Sequence, residues 1–145
     1  MLEINTEVEI SATPARVWEV LMDFPAHAQW NPFVRSIAGT PSVGQRLAVR
    51  IQPPGGKAMT FKPKVLNAQP NLELRWLGHL LVPGLFDGEH YFQLHARDGG
   101  GTRLLHGERF SGLLVPLFKS NLQGPARAGF EAMNQALKVR AEAAA

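Results

Sequence analysis

The chain has 145 residues, 45% of them hydrophobic, enough for one full core and hardly for two, so residues 1–145 read as a single domain. Fifteen Lys and Arg against 12 Asp and Glu leave a formal charge of +3, far short of the dense basic stripe that a phosphate backbone requires, and nucleic acid is not expected as a partner. Zero cysteines exclude disulfide scaffolds, thiol catalysis and cysteine metal sites; with no apolar window near the roughly 18 residues of a membrane span and no basic-then-apolar opening, the expectation is a soluble, unprocessed cytoplasmic protein.

Leu2, Ile4, Val8 and Ile10 alternate with Glu3, Asn5, Glu7 and Glu9, the period of a strand with one buried and one wet face. Thr13 followed by Pro14 opens a helix whose apolar residues Val17, Trp18, Leu21 and Met22 recur at helical spacing to about Asp23. Pro25 stops it, and Ala26 to Trp30 suffices for a short second helix before Pro32. Six further strands are expected at Val34 to Gly39, Arg46 to Gln52, Ala58 to Ala68, Leu72 to Leu77, Gly88 to Ala96 and Thr102 to Phe110. Pro53-Pro54-Gly55-Gly56 and Asp98-Gly99-Gly100-Gly101 make hairpin turns, while Pro63 marks an edge or a bulge. The apolar stretch from Gly78 to Asp87 reads as a loop. Leu113, Leu114, Leu117, Phe118, Leu122, Phe130, Met133 and Leu137 fit one long amphipathic helix, which Gly124-Pro125 should kink or break. The fold class is α+β: a curved seven-stranded antiparallel sheet around a long C-terminal helix, with two short helices after the first strand and a space between sheet and helix.

That order resembles the helix-grip superfamily called SRPBCC or START-like, and within it the polyketide cyclase/dehydrase-like branch. The resemblance covers nearly the whole chain. It is carried by I-S-A-T-P-A-R-V-W-E-V-L-M-D-F from Ile10 to Phe24, W-N-P-F-V at Trp30 to Val34, G-G-G-T-R-L-L-H-G-E-R-F-S-G at Gly99 to Gly112, and G-F-E-A-M-N-Q-A-L-K at Gly129 to Lys138. It implies a hydrophobic cavity between sheet and C-terminal helix and does not imply a reaction, because the superfamily's functions are diverse and its catalytic residues are not shared.

The hairpin from Gly88 to Phe110 holds the most informative polar residues. Pairing about Gly99 and Gly100 sets Phe92 opposite His106 and His90 opposite Glu108, about 5 Å apart, so that His90, His106 and Glu108 form a ligand-orienting or acid/base cluster if they face inward. Trp30, Phe33, Phe61, Trp76, Phe92, Phe118 and Leu122 complete the candidate ligand-binding set. No catalytic residue is assigned. His27, His79, His90, His95 and His106 lack metal-ligand spacing, and no metal or other cofactor is expected. The serines sit in no nucleophile elbow, and Gly99-Gly100-Gly101 lacks the Lys and helix start of a phosphate loop. Between Asp23 and Glu73 there is no acidic residue, whereas Arg35, Arg46, Arg50, Lys57, Lys62 and Lys64 give a basic end able to dock on an acidic partner or an anionic surface.

Three functional readings follow. The leading one is a binding or carrier protein for a small hydrophobic molecule: lipid, aromatic or polyketide-like. The second is a cyclase- or dehydratase-like enzyme using His106 and Glu108 as acid and base, with His90 beside them. The third is a protein-interaction module.

Overall fold

The computed structural model describes residues 1–80 and 82–143. Strand β1 (Leu2–Ile10) buries Ile4, Thr6, Val8 and Ile10 and exposes the residues between them, as its alternation dictates. Helix α1 (Pro14–Met22) starts where Thr13 Oγ1 accepts a hydrogen bond from the Arg16 N–H at 3.2 Å. Losing that cap in Thr13→Ala should lower stability by about 1 kcal/mol, read as a reduced urea midpoint at unchanged slope. A 3₁₀ turn (Phe24–Ala26) leads into α2 (His27–Trp30).

The seven strands expected in one sheet are eight in two. Strands β1, β8 (Thr102–Ser111), β7 (Asp87–Ala96), β6 (Glu73–His79) and β5 (Lys64–Gln69) form one antiparallel sheet in that order; β2 (Val34–Ala38), β3 (Ala48–Ile51) and β4 (Met59–Phe61) form a second. The extra strand comes from the segment read as continuous between Ala58 and Ala68. Pro63 has no N–H to give a ladder, so the segment splits into β4 and β5 on either side of it. Backbone bonds from Gly44 N–H to Val65 O, Val65 N–H to Gln45 O and Leu47 N–H to Pro63 O, each 2.9 Å, join the two sheets at this break. The β7–β8 turn uses Gly99 and Gly100 at φ of 86° and 90°, where a side chain is disfavoured, and this fixes a register in which His90 faces Glu108 and Phe92 faces His106.

The C-terminal helix is shorter than its apolar pattern suggested. Leu113 and Leu114 precede it, a 3₁₀ turn spans Val115–Phe118, and α3 (Lys119–Asn121) runs into a π turn at Leu122–Ala126 before α4 (Arg127–Glu142). Pro125 explains the π turn: it cannot donate, its ring would strike the carbonyl one α-turn back, and the chain recovers when the Arg127 N–H reaches the Leu122 carbonyl five residues behind. Beyond this point Phe130, Met133 and Leu137 form one fully buried stripe in the same core as Ile4, Val8 and Ile10.

Candidate functional site

Between the two sheets and the C-terminal helical segment lies a cavity of about 500 Å³, within the range of small-molecule sites. Val49, Ile51 and Phe61 line it from the small sheet, Trp76 and Phe110 from the large one, and Phe118, Leu122 and Phe130 from the C-terminal segment. Polar groups are few. Glu108, His90 and His79 stand on the large sheet, Asn121 on α3, and Lys57 on the loop before β4.

Glu108 is held by a buried hydrogen-bond chain whose sense can be read from its far end. Thr6 Oγ1 donates to the His106 carbonyl at 2.6 Å, so it must accept from Asn134 Nδ2 at 2.8 Å. This turns Asn134 Oδ1 to the other side, where it accepts from His106 Nδ1–H at 2.8 Å. Burial holds the ring neutral, so with its proton on Nδ1 its Nε2 is bare. That nitrogen accepts from His90 Nε2–H at 2.7 Å, and His90 Nδ1 meets Glu108 Oε1 at 3.0 Å with one proton between them. Glu108 Oε2 has no partner among the described residues. It lies over Gly88, where any Cβ would collide with it, so the glycine makes room for the carboxyl group on the cavity wall.

Burial and the charge of His90 push the His106 pKa well below 6.5, against the opposing hydrogen bonds to Asn134 and the Phe130 carbonyl. Its ring is stacked between Phe92 and Phe130, with centroids 4.4 and 4.6 Å away, and Trp76 stacks on His90 at 5.1 Å.

Of the residues proposed from sequence, Phe33, Phe61, Trp76, His90, Glu108, Phe118 and Leu122 line the cavity. Trp30, Phe92 and His106 do not. Phe92 and His106 lie in the packed layer beneath His90, fully buried. Trp30 packs on His27 with ring centroids 4.7 Å apart, beside Arg16 and Arg140 on another side of the molecule. The W-N-P-F-V segment acts instead through Asn31. Its Oδ1 accepts from the Phe33 and Val34 N–H groups, its Nδ2 donates to His27 Nδ1, and the bend so fixed seats Phe33 against Phe130. Sequence reading missed Asn31, Thr6 and Asn134. Thr6 and Asn134 carried a signal, since each is a polar residue standing in a buried apolar register. His90, His106 and Glu108 are joined by hydrogen bonds, but no group of His, Asp or Glu among the described residues has metal-site geometry. Of the basic segment, none of Arg35, Arg46, Arg50, Lys57, Lys62 and Lys64 takes part in an ion pair among the described residues. No helix among the described residues is long and apolar enough to cross a membrane.

An antiparallel sheet folded about a C-terminal helix, with an apolar cavity between them, defines the helix-grip class of fold. Within it, residues 1–142 match the family described as polyketide cyclase / dehydrase and lipid transport, and the chain belongs to that family. Among solved structures it is similar to the ZhuI aromatase/cyclase from Streptomyces sp. R1128, with a TM-score of 0.79 and 17% identity over 97% of this chain and 93% of that one. It is similar also to a START superfamily protein from Mycobacterium smegmatis, with a TM-score of 0.74 and 20% identity over 97% of both chains. A protein from Thermus thermophilus gives a TM-score of 0.75 and 20% identity, again over 97% of both. At these identities the likeness is one of fold. No curated protein matches the sequence.

Proposed function

We propose that the protein binds a small hydrophobic molecule in this cavity and seats a hydrogen-bond donor of that molecule on Glu108 Oε2. The observation that carries the reading is the open carboxyl oxygen in an otherwise apolar wall. Whichever of His90 Nδ1 and Glu108 Oε1 holds their shared proton, Oε2 remains an acceptor, so a hydroxyl, phenol or amine fits it and a carboxylate anion does not. Trp76 and Phe61 offer flat apolar surface for the body of the ligand. This favours a lipid, aromatic or polyketide-like compound carrying a donor group, bound for carriage.

A cyclase-like enzyme is the second reading, favoured by the Glu108–His90 hydrogen bond beside an apolar cavity and by the family description. In it Glu108 and His90 exchange a proton with the substrate, and His106 serves as a positioning residue because it does not reach the cavity.

Binding of 2-naphthol and its methyl ether separates these outcomes. The naphthol should bind about tenfold or more tightly than the ether, as expected for a hydrogen bond to a carboxylate, and Glu108→Gln should shrink that preference to a few-fold. Equal affinities in the wild type, or no binding of either probe, would overturn the proposal. Chemical change of candidate aromatic or polyketide compounds that Glu108→Gln stops would establish the enzymatic reading.

A further inference from the structure

We infer that the rim of the cavity docks on an anionic lipid surface. Apolar side chains are normally withdrawn from water, yet Leu113, Leu117, Val82, Met59 and Phe118 are 81%, 77%, 54%, 48% and 37% exposed. They come from three separate segments: Met59 from β4, Val82 from the loop before β7, and Leu113, Leu117 and Phe118 from the segment before α3. Met59 and Phe118 line the cavity itself. Leu113 N–H bonds Gly84 O at 3.1 Å and Leu114 N–H bonds Leu85 O at 2.9 Å, tying the segment before α3 to the loop that carries Val82.

Two of the segments bordering the cavity carry charge of one sign only. Residues 53–63 and 112–126 contain no Asp or Glu, while Lys57, Lys62 and Lys119 stand in them without an ion-pair partner among the described residues. Asp87, at the start of β7 after the loop that carries Val82, is already engaged by His79 Nδ1 at 2.7 Å and by the Gly84 N–H. Exposed apolar side chains on segments that carry unpaired cations are the pattern of an interfacial contact: the lysines meet anionic headgroups and the leucines enter the acyl boundary. The projecting leucines stand on turns rather than along a groove, so no ridge of a folded partner would be matched, whereas a fluid surface takes them in any arrangement. The position of the patch gives it a use. A hydrophobic ligand passing between this cavity and a bilayer would not cross water.

The carriage part of this inference rests on the ligand-binding proposal; the docking itself does not, and is measured with empty protein. Cosedimentation with vesicles of phosphatidylcholine, alone or with roughly a third phosphatidylglycerol, at about 0.1 M and about 0.5 M salt reads it directly. Binding to the anionic vesicles is expected, at least about tenfold weaker on neutral vesicles or at the higher salt. Leu113→Ser with Leu117→Ser should reduce it by about tenfold or more, and Lys62→Glu with Lys119→Glu similarly. All four residues are exposed, so the urea midpoints should stay at the wild-type value, and naphthol binding by the leucine variant should be unchanged. Failure to bind anionic vesicles would overturn the inference. So would binding that survives the leucine substitutions, a wild-type dimer that the same substitutions dissolve, or retention on an acidic protein without retention on vesicles.

Discussion

Replacing Phe130 with alanine should cost about 3–5 kcal/mol of stability, a large share of what a domain of this size possesses. Phe130 stacks on His106 at 4.6 Å, contacts His90 at 5.0 Å and Phe33 at 5.3 Å, and faces the cavity at its upper end. Its loss removes apolar contacts from several elements at once and leaves a void beside an existing cavity, into which the sheet cannot collapse. Urea unfolding measures the effect. A fall of less than about 1 kcal/mol would mean that the ring is not seated in this layer.

The second large effect is a loss of stability in mild acid. His27 and His106 are buried as neutral rings. His27 Nε2–H donates to the Leu21 carbonyl at 2.8 Å while its Nδ1 accepts from Asn31, so both of its nitrogens are committed. Burial lowers its pKa against the pull of the Leu21 carbonyl and of Asp23, and burial with the charge of His90 lowers that of His106 much further. The unfolded chain binds a proton at each ring once the pH drops below about 6.5, and the folded chain does not, so the unfolded state holds more protons and stability falls with pH. A histidine that stays neutral to pH 5 costs roughly 2 kcal/mol between pH 7 and 5, and His27 adds to His106 in the same direction.

Glu73 acts lower down. Burial would raise its pKa, but hydrogen bonds from Arg75, Asn67 and Gln93 outweigh this and hold it at about 2. The stability it contributes is fully present above about pH 4.5 and is lost as the pH falls from there toward about 2, below the histidine window. Stability that is flat between pH 7 and 5 would contradict the neutral, hydrogen-bonded state of the two histidines.

Much of this architecture was legible in the sequence because local chemistry and tertiary environment agree. Thr13-Pro14 starts a helix in any context, and Asp98 to Gly101 allows few other turns, which is why the pairing of His90 with Glu108 could be stated before the fold was known. One strand was misread where a single residue outweighs a periodicity: Pro63 divides a segment that its neighbours would continue. The break expected at Gly124-Pro125 is there as a π turn, but the apolar residues before it form a 3₁₀ turn and the short α3 instead of one continuous helix. At the site, alternation placed His90, His106 and Glu108 on the same face correctly. It could not tell a cavity wall from a packed layer beneath it. That distinction depends on depth along a curved sheet, and depth is set by what stands opposite: Phe130 covers His106, whereas nothing fills the space above Glu108. Asn134 and Thr6 stand out as polar residues in apolar registers, but their partnership spans 128 residues and is not readable in one dimension.

The buried chain from Thr6 to Glu108 has a direction as well as a membership. It begins at a peptide carbonyl, which can only accept, and every later hydrogen bond inherits its sense from that one. In this sense His90 spends one proton on His106 and shares another with Glu108, so the pair on the cavity wall is electrically neutral as a unit. Run the other way, with the His106 ring donating, the same wall would hold a neutral histidine beside a bare carboxylate and carry a negative charge. The sense of the hydrogen bonds on the cavity wall is thus set across the core, by a threonine that does not line the cavity. A relative with the same lining but without that hydroxyl would be free to run the chain the other way, so comparing pocket walls alone would miss the group that sets its sense.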